Sequence, residues 1–222
     1  MRRGYTREAY LDLVAKIRQI IPNIAFTTDL IAGFCGETDD EHNDTISLMK
    51  LVNYTYCFMY TYSMREKTRA FHRLEDNVPN EVKMKRYKEI LDTFRTLATQ
   101  LNISKINQTH LVLTDKLSKR SDEDYSGRND HNTIVVFSKS PVPHFDSLVD
   151  YKNYFNSKTL QANMKKSLPQ VGDYVACKIL SATSQSMRGK PLFSCKLQTF
   201  NEIENFVSGN LADKELFSVK NI

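Results

Sequence analysis

"TTDLIAGFCGETDDE", residues 27–41, reads as a strand that runs into a helix through a loop with two glycines. Residues 27–34 form a β-type apolar run. Thr38 and Glu41 stand at capping-box spacing, and Asp39 and Asp40 suit the positive end of a helix dipole. Strand, loop, helix is the unit of an α/β fold, and such a loop is where α/β proteins hold ligands. Gly33 and Gly36 do not make it a phosphate loop. GFCGET matches neither the Walker A spacing nor G-x-G-x-x-G, offers no lysine, and is followed by carboxylates that repel an anion. The residues alone leave two readings open. Either Gly36 serves a turn in left-handed conformation, or backbone at a strand end approaches a flat or neutral ligand closely.

Working outward, the first half alternates helix and strand. Thr6 caps a helix with an apolar stripe of Tyr10, Leu13, Val14, Ile17, Ile20 and Ile21, stopped by Pro22 and Asn23. Residues 24–34 are expected as a mostly buried strand of a parallel sheet. The next helix runs to about Val52, and YTYCFMYTY (54–62) predicts a second strand. A basic loop follows, SMREKTRAFHR, and Pro79 opens a long amphipathic helix with Val82, Tyr87, Ile90, Leu91, Phe94, Leu97, Ala98 and Leu101 on one face. This order calls for crossover connections. From residue 109 the pattern becomes all-β, with short runs at 109–117, 133–137, 172–183 and 192–198 that suggest a small barrel or sandwich. Residues 138–168 read as a long inserted loop and the segment past 199 as a frayed tail.

The 222 residues are 41% hydrophobic and 26% charged, enough for one large domain or two small ones with a real core. No run approaches the roughly 20 apolar residues of a membrane span. MRRGYTREAY lacks the apolar segment of a secretory signal and reads as a sequence entered partway. Cys35, Cys57, Cys177 and Cys195 are mutually distant in sequence, which fits buried thiols in a reducing compartment better than metal ligands. The net charge of +5 is uneven. Residues 1–101 carry 15 basic and 14 acidic side chains, whereas residues 104–198 carry 14 and 8. The second region is either a solvated basic face or a polyanion-binding domain.

Five stretches carry a resemblance. MRRGYTREAYLDLVAKIRQIIP and TTDLIAGFCGETDDE resemble the radical S-adenosylmethionine (SAM) methylthiotransferases of the MiaB type, in which M-x-R-G-Y-T-R-E and T-D-x-I-x-G-F-P-G-E-T recur. YSMREKTRAFHRLEDNVP, LSKRSDEDYSGRNDHNT and GDYVACKILSATSQSMRGKPL resemble the animal mitochondrial branch of that family. The similarity runs from residue 1 to about 198, in the family's order. It implies an α/β partial radical SAM barrel, its second half, over residues 1–101. A small all-β TRAM barrel, OB-like and RNA-binding, would follow over 104–198, with the insert 138–168 and a divergent tail 199–222.

What the resemblance implies about function is specific. Such enzymes add a methylthio group to C2 of N6-isopentenyladenosine-37 in tRNA, using SAM, two 4Fe–4S clusters and an external electron donor. The positions matching the motif beside the SAM and substrate pocket are Arg3, Thr28, Asp29, Gly33, Phe34, Gly36 and Glu37. For Asp29 a structural role toward backbone amides is the open alternative, and for Arg3 an exposed helix start. Arg65 and Arg69 are expected at tRNA phosphates, and Arg128, Lys178, Arg188 and Lys190 at an anticodon stem-loop. Tyr125, Phe137 and Tyr174 are stacking candidates, with Phe137 and Tyr174 read first as core. Charge removal at Arg128 or Arg188 is expected to weaken tRNA binding and flatten its salt dependence. The branch implies a mitochondrial location, with cytoplasmic as the alternative, and a partner of the kinase-activator class.

The chain departs from the family in lacking C-x-x-x-C-x-x-C. Without thiolate ligands no cluster is built, so no catalytic or metal-ligating residue is assigned and the chain alone is expected to be inactive. It reads as the C-terminal portion of the enzyme; the alternative is an RNA-binding or protein-binding module without chemistry. Cys35 stands where most of the family has proline. A barrel lacking its first strands would expose an edge, so the first hundred residues are expected to be poorly stable alone and 104–198 to fold independently.

Overall fold

Thr6 and Thr38 start the first two helices as their sequences require. The Thr6 side chain accepts from the Ala9 amide at the head of α1 (Arg7–Ile20). Thr38 and Glu41 form a complete capping box at the head of α2 (Asp39–Val52). In this computed structural model residues 4–209 are described. The chain divides into two compact units, one up to Leu101 and one from Asn102.

The first unit continues with β1 (Thr27–Ala32) before α2, then β2 (Tyr56–Thr61), a short α3 (Arg69–Arg73) and α4 (Asn80–Ile103). β1 and β2 are parallel and in register, from Thr27 opposite Tyr56 to Ala32 opposite Thr61. Parallel pairing demands a crossover, and α2 supplies it. One sheet face carries Leu30, Ala32, Cys57 and Met59 into a core with Val14, Met49, Ile90 and Phe94. The other face is open: Tyr56, Phe58 and Tyr60 are 42%, 49% and 52% exposed. β1 is therefore half-buried, with Thr27 and Asp29 exposed, not the mostly buried strand expected. Among the described residues helices cover only one of its faces. The stripe on α1 is likewise narrower than its pattern suggests, because Val14 is buried while Leu13, Ile20 and Ile21 are exposed.

The second unit is built on β3 (Thr109–Ser118), β4 (Ser121–Asn129), β5 (Ile134–Ser138), β8 (Tyr174–Ala182) and β9 (Ser186–Cys195). They pair in the order β5-β4-β3-β8-β9, and β9 pairs again with β5, so the five strands form a closed ring. Val112, Val135, Phe137, Val175 and Ile179 form one core cluster of this unit. β4, SDEDYSGRN, has no hydrophobic pattern and was not foreseen. Its place is set by close packing: a Cβ on Gly127 would lie 2.2 Å from the Leu113 carbonyl oxygen.

Residues 138–168 are not a plain loop. They hold β6 (Val142–Phe145), α5 (Leu148–Asn156), α6 (Lys158–Asn163) and β7 (Lys166–Ser167), with β6 laid parallel against β9. The frayed tail is also overturned up to the last described residue, because α7 (Leu197–Gly209) buries Phe200, Ile203 and Val207. Phe145, Tyr151, Tyr154 and Phe193 complete this second apolar cluster. The insert and α7 supply each other's apolar partner, which neither pattern discloses when read alone. The rest of the tail lies outside the described residues.

Candidate functional site

The loop between β1 and α2 is held by a buried polar network. Glu37 Oε2 accepts from the Gly33 amide at 2.7 Å and from Arg86 Nη1 at 3.0 Å. Arg86 also donates to the Glu37 carbonyl at 2.8 Å and to Asp39 Oδ1 at 2.7 Å. The Arg86 guanidinium beside Asp39 holds that carboxyl below its usual range. The Glu37 and Arg86 side chains are 11% and 7% exposed, so the Glu37 carboxylate faces the loop's own backbone. Gly33 has φ +74°, and a Cβ there would lie 2.3 Å from Lys83 Cγ. Only glycine lets α4 approach this closely. Gly36 also has positive φ, +72°, but has open space where a Cβ would go, and its amide donates to Asn77 Oδ1 at 2.8 Å.

Around this clamp, Lys83 Nζ donates to both Asp76 oxygens at 2.6 and 2.7 Å and lies 5.5 Å from the Tyr62 ring centre. Phe34 packs edge-on against Tyr62, and the Cys35 thiol pushes the Tyr62 phenol up to about 12. Sequence reasoning missed Asp76, Asn77, Lys83 and Arg86. A signal for the two cations existed: positions 83, 86, 90, 94 and 98 follow one helical period, and Ile90, Phe94 and Ala98 are buried. Two cations on that period have to find buried acceptors.

The remaining candidates of the first unit divide between the open sheet face and the surface. Asp29 is exposed on β1 opposite Phe58, Thr28 is half-buried, and Arg65 and Arg69 are exposed. Arg3 lies outside the described residues. The open face thus combines one carboxylate with three aromatic side chains beside the clamped loop. This arrangement suits a flat ligand with hydrogen-bond donors on its edge. Cys57, Cys177 and Cys195 are buried, and burial pushes the Cys57 and Cys195 thiols up to about 12 and raises the Cys177 thiol as well. Among the described residues no group of three or more His, Cys, Asp or Glu side chains is placed to hold a metal ion.

In the second unit the expected cations sit on strands. Arg188 and Lys190, expected in a turn, belong to β9, because the β8–β9 hairpin closes earlier, at Thr183 and Ser186. Arg188 Nη1 and Nη2 each lie 3.2 Å from an oxygen of Asp124 on β4. Arg128 donates to the Asn132 carbonyl and side chain at 3.0 Å and lies 3.5 Å from Asp115. Lys178 stands opposite Lys190 on neighbouring strands, both half-buried. Tyr125 and Phe137 are 7% and 0% exposed, so the stacking role expected of Tyr125 is corrected: ring closure turns both side chains inward. Tyr174 is half-buried.

A polar cluster at the foot of this unit was not foreseen. Lys105 Nζ lies 2.5 Å from His131 Nδ1, and Asp130 stands 3.8 Å from His110 Nδ1 and 3.7 Å from His131 Nε2. The His110 imidazole holds the Asp130 carboxyl below its usual range, and burial lowers the Lys105 ammonium.

Comparison with known proteins gives these features a context. No protein-family model matches the chain. The mitochondrial tRNA methylthiotransferase CDK5RAP1 of Homo sapiens is 46% identical over 192 residues, 86% of this chain and 30% of that protein. A CDK5RAP1-like protein of Caenorhabditis elegans is 46% identical over 142 residues, 64% of this chain and 26% of its own length. The tRNA-2-methylthio-N(6)-dimethylallyladenosine synthase of Christiangramia forsetii is 39% identical over 192 residues, 86% of this chain and 34% of that enzyme. The chain thus spans about a third of the length of these relatives.

Proposed function

This chain belongs to the tRNA methylthiotransferase family, and from that premise we propose that it supplies the substrate-side portion of such an enzyme. The reaction is transfer of a methylthio group to C2 of N6-isopentenyladenosine-37 in tRNA, in mitochondria. The observation that carries the reading is the 46% identity to the human mitochondrial enzyme across 86% of the chain. The first unit is proposed as the second half of a radical SAM barrel. The second is proposed as a TRAM domain that takes the anticodon stem-loop.

Physical features support this division of labour. The open face of β1 and β2, with Asp29 opposite Phe58 and the aromatic side chains of Tyr56 and Tyr60, would form one wall of the pocket for SAM and the modified base. SAM supplies the radical precursor and the methyl group when bound. The chain's own part is to orient and to exclude water. The loop clamped by Glu37 and Arg86 fixes the rim of that wall, with Thr28, Gly33, Phe34 and Gly36 on or beside it. Arg65, Arg69 and Lys178 provide the electrostatic surface for RNA phosphates.

An iron–sulfur cluster does not fit the residues present. The four cysteines are far apart in sequence, and the three whose thiols burial raises are poor sources of thiolate. The same observation favours a second reading, an RNA-binding module that performs no chemistry itself. Disrupting the gene and digesting mitochondrial tRNA to nucleosides for mass spectrometry separates the two. The first reading expects the methylthio group to vanish while N6-isopentenyladenosine persists; unchanged methylthiolation would overturn it.

A further inference from the structure

The closed ring is irregular along two of its ladders. The β3–β4 ladder shifts register between Leu117 and Ser118, and the β8–β9 ladder shifts between Ile179 and Ser181. Bulges widen a sheet edge and re-aim side chains, and they gather at barrel rims and sites. Residues of these ladders line a groove of about 200 Å³, among them Ser118, Arg120, Asp124, Ser181, Thr183 and Arg188. That volume is below the roughly 300 Å³ at which drug-sized ligand sites begin, so it admits one planar group. The lining is hydrogen-bonding, and apolar Val136 and Met187 contribute to its wall.

The charge arrangement decides what the groove takes. Asp124 is 9% exposed and meets the Arg188 guanidinium through two parallel contacts, while the Arg188 side chain is 55% exposed. A fork closed on a carboxylate is neutral as a pair, so it neutralises no phosphate and releases no counterion. It still presents donors of the guanidinium next to the acceptor oxygens of Asp124. Donor beside acceptor is the pattern that reads the edge of a nucleobase. Arg120 differs: it is exposed in the β3–β4 turn beside the groove and makes no ion pair among the described residues. On the opposite rim, Thr183 Oγ1 accepts from the amides of Gln185 and Ser186, which fixes the hairpin. Exposed Leu117 and Leu180 adjoin the two bulges.

We infer that this groove seats a single unstacked nucleobase of the bound RNA, with the Arg188–Asp124 pair reading its edge and Arg120 holding the adjacent phosphate. This rests on the RNA-binding reading of the second unit and adds a base-selective subsite to it. It also revises the expectation for Arg188, which becomes a reader of base identity and not a phosphate contact. Single-stranded RNA is recognised in this way, through splayed bases whose edges meet side chains.

The test uses the full chain and four fluorescein-labelled RNA octamers, of U, A, C and G, titrated from 50 to 200 mM salt. Wild type is expected to favour one base by about tenfold. R188K is expected to reduce that preference to within about twofold and leave the salt slope unchanged, whereas D124N is expected to reduce it equally and, by freeing the Arg188 cation, to steepen the slope. R120A is expected to keep the preference and lower the slope by about 0.7, one phosphate's worth on a single strand. R188K keeps the charge at an exposed position, so its result stands even if D124N unfolds. A lowered slope in R188A with unchanged preference would make Arg188 a phosphate contact and overturn the inference alone. Equal affinity of wild type for all four octamers would do the same. No salt-dependent binding of any octamer would overturn the RNA-binding reading beneath it.

Discussion

The two units solve the problem of sheet edges in opposite ways. The second closes five strands into a ring, so their backbone groups pair within the unit. Among the described residues the first has two parallel strands and leaves Tyr56, Phe58 and Tyr60 exposed on one face. A closed sheet is complete as it stands, and its polar network lies at its foot and rim. An open one holds together through helices on one side and through the clamp around Glu37. Both units bury polar side chains, Lys83 and Arg86 around the clamp of the first and Lys105, Asp124 and Asn129 in the second.

The largest effect should come from breaking the clamp. Arg86→Met leaves the Glu37 carboxylate buried without its partner, and should destabilise the first unit by about 3 kcal/mol in urea unfolding of the full chain. The corresponding cut in the second unit is Ile203→Ala, which removes a fully buried side chain of α7 and should cost about 3 kcal/mol. If the Arg86 change left the transition unmoved, the network would be peripheral, and the contrast drawn between the units would fail.

The two loop glycines sharpen the contrast at smaller scale. Gly33→Ala meets Lys83 and a positive φ together and should cost about 2 kcal/mol. Gly36→Ala meets only the positive φ and should cost about 1 kcal/mol by the same measurement. Equal losses would mean that Lys83 yields freely and that close approach of α4 is not what selects Gly33.

The smallest effect concerns acid. Asp130 has a lowered carboxyl pKa in the folded state, so it contributes stability present above its unfolded value, which is lost as pH falls through the folded one. Unfolding followed by fluorescence from pH 6 down to pH 3 should show the second unit weakening below about pH 4. Asp130→Asn should flatten that limb. An identical acid limb in the variant would show that other carboxylates control it.

The outline of the first unit was legible because local rules coincide there. Thr6, Thr38 and Glu41 cap helices, the apolar runs at 24–34 and 54–62 are strands, and Pro79 precedes α4. The motif also singled out Thr28, Asp29 and Gly33, which fall on β1 and in the loop that follows it. Arg86 and Lys83 were not, since a cation within a helix normally marks its solvated side and only the partner loop shows otherwise. In the second unit the strands rich in Val and Ile were visible, while β4 and α7 were not. β4 is polar because its neighbours, not its own side chains, supply the pattern, and α7 needed the surface made by α5 and β6.

By itself the sequence determined the order of helices and strands in the first unit, the change to β structure after residue 109 and the family. These depend on spacing along the chain, which local propensity and periodicity record. Only the tertiary structure decided that the ring closes through β5 and β9, that Tyr125 turns inward, and that Arg188 is already paired with Asp124. Ring closure sets Ile134 opposite Ser186, and Arg188 meets Asp124 across 64 positions of chain. No local pattern encodes which partner such a side chain will meet.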